Sequence, residues 1–183
     1  ISTLHTLFPY TTLFRSTKES TELLKAVSEH LSTEAIKFYP GIGYRHLMIW
    51  DKGPYKWTLT PPHDILGQKV KDYMPKGPGS EIIDAMTKKS SEFLKNHDIN
   101  KNRVARGLKP ANSIWIWGEG KKPLLASFNK KYNLKGSVIS AVDLVKGIGM
   151  CAGMDIIEVE GATGNINTNF KGKAKAALEE LKK

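Results

Sequence analysis

The stretch Gly136–Gly164, GSVISAVDLVKGIGMCAGMDIIEVEGATG, constrains the fold of this chain more than any other. Val138, Ile139, Ala141 and Val142 form a short apolar run without proline, the pattern of a strand buried on both faces of an α/β sheet. Leu144, Val145, Ile148, Met150 and Cys151 can then cover one side of a helix, and Asp155-Ile156-Ile157-Glu158-Val159 alternates as a second strand. Two strands joined by a helix of this length are most simply parallel, with a right-handed crossover. In such sheets chemistry gathers at the carboxyl ends of the strands. Those ends carry Asp143 with Lys146, and Glu160 with the loop Gly161-Ala162-Thr163-Gly164.

Upstream, apolar residues at helical spacing (Leu23, Leu24, Val27, Leu31) behind Ser20 as cap predict an amphipathic helix over 20–31. Residues 35–39 and 44–50 alternate on either side of Pro40-Gly41 and predict an antiparallel pair, with Arg45 and His46 facing opposite ways. A short strand is expected at 56–59. Pro61-Pro62 forces an extended entry into His63-Asp64. Ser80 is expected to cap a helix to about Asn96, buried along Ile82, Ile83, Met86, Phe93 and Leu94. Residues 100–112 are polar and basic, which places a domain boundary near Ala111. A strand at 113–117 and a closing helix from Lys171 complete the pattern, with Trp50, Trp115 and Trp117 as core residues.

The first sixteen residues read differently. Thr6–Ser16, TLFPYTTLFRS, matches the in-frame translation of a common sequencing adapter, and no signal-peptide h-region or cleavage site is present. Residues 1–16 are therefore set outside the fold as non-native, few contacts are expected of them, and the natural sequence is expected to begin near Thr17.

The chain carries a net charge of +10 and one cysteine. The lysines are dispersed without aromatic interleaving, which reads as a solvated surface and gives no nucleic-acid platform. A lone Cys151 excludes a disulfide framework or a cysteine metal cage and suits a reducing, cytoplasmic setting. No apolar run approaches the roughly 18 residues of a membrane span. Arg45, Arg103 and Arg106 stand out because the chain otherwise prefers lysine, and arginine is the better bidentate ligand for phosphate or carboxylate. Thr60-Pro61-Pro62-His63-Asp64 sets a histidine and a carboxylate on a rigid turn, suited either to polar ligand contacts or to starting a helix. Gly147-x-Gly149 lies inside the helical part, so it reads as close packing at small residues rather than a dinucleotide turn. The five histidines offer no pair at metal-ligand spacing.

Four blocks, YRHLMIW (44–50), TPPHD (60–64), KPANSIWIWGEG (109–120) and the stretch 136–164, together resemble the archaeal-type cofactor-independent phosphoglycerate mutases across Thr17–Lys183. Asn167 departs from the pattern, where an Asp is expected. The resemblance implies an α/β fold, with part of an alkaline-phosphatase-like core sheet and part of an inserted α/β substrate domain. Residues 17–111 would be the later part of the insertion and 112–183 its return into the core.

It further implies interconversion of 2- and 3-phosphoglycerate through a phosphoserine, without 2,3-bisphosphoglycerate. Two divalent metals (manganese, zinc or magnesium) would serve, with their ligands and the serine outside this chain. Arg45, His63, Asp64, Arg103 and Arg106 would hold phosphate and carboxylate, and Lys146 would touch the transferring phosphoryl. This fragment alone would be inactive. Two alternatives stand beside this reading: a homoserine-kinase-like member of the same family, against which the missing GxxxxGK[ST] loop counts, and a nonenzymatic anion-binding module suggested by charge alone.

Overall fold

A computed structural model of the chain describes the backbone of Ser2–Leu7 and, in full, residues 17–43, 45–54 and 56–183. The chain divides into two compact units, residues 1–122 and 123–183.

Unit 1 is a four-stranded antiparallel sheet in the order β2-β3-β1-β4, with β1 Ser2–Leu7, β2 Ile36–Pro40, β3 Arg45–Trp50 and β4 Trp115–Lys121. Helices α1 (Thr17–Leu31), α2 (Ser80–Leu94) and α3 (Asp98–Ala105) accompany it. Side chains alternate across a strand, so register decides which residues share a face. Phe38 stands opposite Met48, and Ile36 opposite Trp50. These four form one buried cluster with Ile116 of β4, Leu23, Leu24 and Val27 of α1, and Ile83, Met86 and Leu94 of α2. Burying a single side chain of this size is worth about 1.5–3 kcal/mol. The opposite face carries Trp115 and Trp117, which pack against Ile65, Tyr73 and Met74. Trp50 is thus in the main core as expected, while Trp115 and Trp117 belong to a smaller cluster behind the sheet.

Several expectations need correction. Ser20 does not cap α1: it is buried within the helix, its hydroxyl donating to the Thr17 carbonyl at 3.0 Å. Gly79, at φ 75°, precedes α2, and Ser80 is its first residue; the left-handed turn there is one that only glycine adopts at no cost. Ile82 is exposed, and its expected place in the stripe is taken by Ser90, whose hydroxyl oxygen accepts the Ile114 N–H at 3.0 Å. The 56–59 strand is only a bridge between Thr58 and Lys76.

The polar stretch 100–112 is structured at its start. It begins within α3, where Asn100 and Arg103 are buried. The first unit then runs on through β4, eleven residues past the boundary read at Ala111, because β4 pairs with β1. Ser2–Leu7 also differs from expectation, since its backbone fills the sheet between β3 and β4. Ladder bonds use main-chain groups, so a segment can pair without having been selected to do so. Phe8 and Phe14, whose burial bears on the adapter reading, lie outside the described residues.

Unit 2 holds the unit from which the sequence reading began. β5 (Ser137–Val138) and β6 (Asp155–Ile156) are parallel and are joined by α5 (Asp143–Cys151), as the spacing predicts. Both strands are two residues long, well short of the apolar runs that announce them. α4 (Phe128–Tyr132) precedes this pair and α6 (Phe170–Glu180) follows it, the latter capped by Asn169, which accepts the Gly172 N–H at 2.8 Å. Gly149 lies against the strands: a Cβ there would come within 2.6 Å of Val138 Cγ2. That close approach accounts for Gly149 without a nucleotide, whereas a Cβ at Gly147 would meet nothing within 4 Å.

Candidate functional site

Arg45 and the TPPHD segment lie toward one end of the sheet of unit 1. β1 is antiparallel to both β3 and β4, so those two strands run the same way and begin at the same end. Arg45, the exposed first residue of β3, shares a row with Trp115, the first residue of β4, through Leu7 between them. On the next position of β3, His46 is buried and its Nδ1 accepts the Gly41 N–H at 3.2 Å. Of this adjacent pair, Arg45 is the exposed residue and His46 the buried one.

The TPPHD segment is brought to the same end by β4. Trp115 Nε1 donates to the Thr60 carbonyl at 2.8 Å, which fixes the entry to a 3₁₀ turn over Pro62–Ile65. His63 then meets Trp117 edge to face, ring centroids 5.3 Å apart. Asp64 Oδ1 lies 3.7 Å from His63 Nε2, beyond hydrogen-bond length, and both side chains are more than half exposed. The turn therefore does both things left open by the sequence: it starts a short helix and presents a histidine and a carboxylate to solvent.

Arg103 arrives from the helical layer and is tied down. It is only 8% exposed, Nε donates to the Lys109 carbonyl at 2.9 Å, and Nη1 donates to Glu19 Oε2 at 2.9 Å. Glu19 stands in the first turn of α1, whose Thr17 hydroxyl oxygen accepts the Gly43 N–H at 3.1 Å in the turn before Arg45. Arg103 thus holds α1, α3 and the segment leading into β4 in register, using two of the five N–H donors of a guanidinium. Arg106, at the C-terminus of α3, is exposed.

Asn100 completes this framework. Its amide nitrogen donates to the Leu94 and Ala111 carbonyls at 2.6 and 2.8 Å, and its oxygen accepts the Ala111 N–H at 2.8 Å. Neither Glu19 nor Asn100 is singled out by the sequence, because an acid in a first turn and an asparagine in a polar run both have ordinary readings. Trp117 was within reach: alternation in Ile114-Trp115-Ile116-Trp117 puts both tryptophans on the face away from the core.

In unit 2, Lys146 lies in the first turn of α5, beyond the carboxyl ends of the strands, and Nζ donates to both Glu158 oxygens at 2.7 and 2.8 Å. The Gly161–Gly164 loop is closed on itself: Thr168 Oγ1 accepts the Thr163 N–H, and Asn165 Oδ1 accepts the Asn167 N–H. Asn167 is held through its backbone, its carbonyl accepting from the Thr163 hydroxyl at 3.1 Å and its N–H donating to Asn165 Oδ1 at 2.8 Å. Among the described residues, no group of three or more His, Cys, Asp or Glu side chains gathers to hold a metal ion. The described residues therefore do not fit a two-metal centre.

A family model described as 2,3-bisphosphoglycerate-independent phosphoglycerate mutase matches residues 9–100, half of the chain. The chain belongs to this family. A probable phosphoglycerate mutase of the same description from Geobacter sulfurreducens is 52% identical over 91% of the chain. One from Methanosarcina mazei is 49% identical over the same share. The chain spans 42% of the length of each of these mutases. Among solved structures, a protein of Pyrococcus horikoshii matches with a TM-score of 0.73 at 26% identity, over 99% of this chain and 44% of that one. The cofactor-independent phosphoglycerate mutase of Thermoplasma acidophilum has the same fold, at TM-score 0.63 and 22% identity over 99% of this chain and 52% of that one. The name of the family carries independence from 2,3-bisphosphoglycerate with it. No helix among the described residues is long and apolar enough to cross a membrane.

Proposed function

We propose that unit 1 is a substrate-gripping part of a phosphoglycerate mutase, holding the phosphate and carboxylate of 2- or 3-phosphoglycerate at the sheet end where β3 and β4 begin. The observation that carries this is that Arg45, His63 and Asp64 are exposed and lie toward that end, with Arg103 fixed in the helical layer near it, in a chain of this family. Arg45 and Arg106 present exposed guanidinium groups, which form short charge-assisted bonds with phosphate and carboxylate oxygens. His63 and Asp64 can bond a glycerate hydroxyl. Arg103 acts chiefly by positioning, since Glu19 already takes its charge.

In unit 2, Lys146 is the candidate for the transferring phosphoryl group. Its partner Glu158 is largely exposed, so the pair opens at little cost when a stronger anion arrives. We assign the phosphoserine nucleophile and two divalent metals (manganese, zinc or magnesium) to segments of the whole enzyme beyond this chain, where the metals would activate the serine. On this reading the chain alone binds the substrate and turns nothing over. The parent would be a cytoplasmic enzyme.

The test is calorimetric titration of the chain with 3-phosphoglycerate. We expect saturable binding that weakens about tenfold to a hundredfold in Arg45→Ala or Arg106→Ala, the equivalent of a charge-assisted bond of about 1.5–3 kcal/mol. Unchanged affinity in both variants would overturn the assignment. Binding that falls steeply with salt and is matched by generic DNA would point instead to a nonspecific polyanion surface.

A further inference from the structure

The turn that presents His63 and Asp64 is anchored on both sides of them. Pro62 and Ile65 are buried, while the two residues between face solvent. The proline rings of Pro61 and Pro62 fix the backbone entering the turn. The Pro61 carbonyl then accepts the Asp64 N–H at 3.1 Å, and Ile65 packs in one cluster with Trp115. Together with the bond from Trp115 Nε1 to the Thr60 carbonyl, these contacts settle where the His63 Cα lies.

They do not settle where its ring points. The His63 side chain is half exposed, and the nearest Asp64 oxygen, at 3.7 Å, is beyond hydrogen-bond length. A histidine on such a turn has several staggered rotamers open to it, and a ligand that needs one of them must bear the cost of ordering the ring. Trp117 supplies a constraint. Its ring lies 5.3 Å from that of His63, at an interplanar angle of 81°. Edge-to-face contact of this kind sets the positive edge of one ring against the negative face of the other. Trp117 is itself held, because strand alternation puts it on the same face as Trp115 and it packs against the cluster of Trp115 and Ile65. One strand thus carries both controls: Trp115 acts on the backbone of the turn, and Trp117 on the imidazole.

We propose that Trp117 is a positioning residue for the anion grip: it holds the His63 imidazole in its binding orientation before the ligand arrives. This rests on the reading that His63 bonds the glycerate. Trp117 acts through His63, so the two residues contribute to affinity as a unit and their losses do not add.

The test is a double-mutant cycle in the full chain, read as affinity for 3-phosphoglycerate by calorimetry. Trp117→Leu keeps apolar bulk and loses the aromatic face; it should weaken binding about twofold to tenfold, and Trp117→Phe should restore most of the loss. In a His63→Ala background, Trp117→Leu should cost nothing further. An equal loss in both backgrounds overturns the proposal, since the tryptophan would then be supporting β4 alone. Unchanged affinity in Trp117→Leu, beside weakened binding in His63→Ala, also overturns it and leaves the grip standing. Unchanged affinity in His63→Ala removes His63 from the grip and the proposal with it. NMR of the unaltered chain decides the matter should Trp117→Leu fail to fold. Nuclear Overhauser contacts between the His63 ring protons and the Trp117 indole are expected, and their absence refutes the positioning role.

Discussion

Asn100→Ala should be among the most damaging single changes in unit 1, although it touches no ligand. The side chain is 1% exposed and makes three bonds of 2.6–2.8 Å. Truncation leaves the buried Ala111 N–H and carbonyl without these partners, while the Leu94 carbonyl keeps the His97 N–H at 3.2 Å. Each orphaned buried group costs about 1–3 kcal/mol, so the expected loss is about 2–5 kcal/mol. At roughly 4 °C per kcal/mol for a unit of this size, Tm should fall by about 10 °C or more. All four tryptophans, Trp50, Trp57, Trp115 and Trp117, lie in unit 1, so urea unfolding followed by their emission reports that unit alone. Asn100→Asp sharpens the test: a carboxylate still accepts from Ala111 but faces two carbonyl oxygens, and should be at least as harmful. Asn102→Ala, one turn face away and exposed, should be neutral or slightly stabilising. A loss in Asn100→Ala of under about 1 kcal/mol, or one no larger than in the Asn102 control, would refute the reasoning that Asn100 pins the approach to β4.

The Glu19–Arg103 pair should show a coupling of about 1 kcal/mol in a double-mutant cycle of unfolding, modest because Glu19 is partly solvated; additive single losses would mean that Arg103 is held by Lys109 alone. In unit 2, hydrogen bonds from Lys183 and then Ser137 hold the Glu180 carboxyl below the ordinary 4.5, which a carbon-detected NMR titration can read. Because the folded value is lowered, the contribution of Glu180 is present above the ordinary carboxylate range and lost as pH falls through its folded midpoint. Lys183→Ala should move that midpoint back upward, and an unmoved midpoint would remove the lysine as the leading cause.

What could be read from the residues was whatever is encoded locally. The parallel βαβ unit of 136–164 is announced by its apolar runs and glycine spacing, and the β2–β3 hairpin by alternation around Pro40-Gly41. β4 was recognisable as a strand, but its partner lies more than a hundred residues earlier, in Ser2–Leu7, so nothing near Ala111 shows that the sheet continues past it. α3 escaped because its buried positions are Asn100 and Arg103, polar residues satisfied by groups from other segments. The site was legible to the same degree. Scarcity of arginine pointed to Arg45, Arg103 and Arg106, and Pro61-Pro62 to a fixed His63. The pairing of Arg103 with Glu19, 84 residues away, depends on helix packing that no local pattern encodes.

The apolar residues of unit 2 are shared out unlike those of unit 1. Every buried apolar side chain among the described residues lies at or before Ile116, whereas Leu144, Ile148, Met150, Phe170, Leu178 and Leu181 are all more than half exposed. Such a surface gives little heat-capacity change on melting, so calorimetry should register one cooperative transition, sized for unit 1. Limited digestion should therefore shear the chain after Lys122 and leave unit 1 standing.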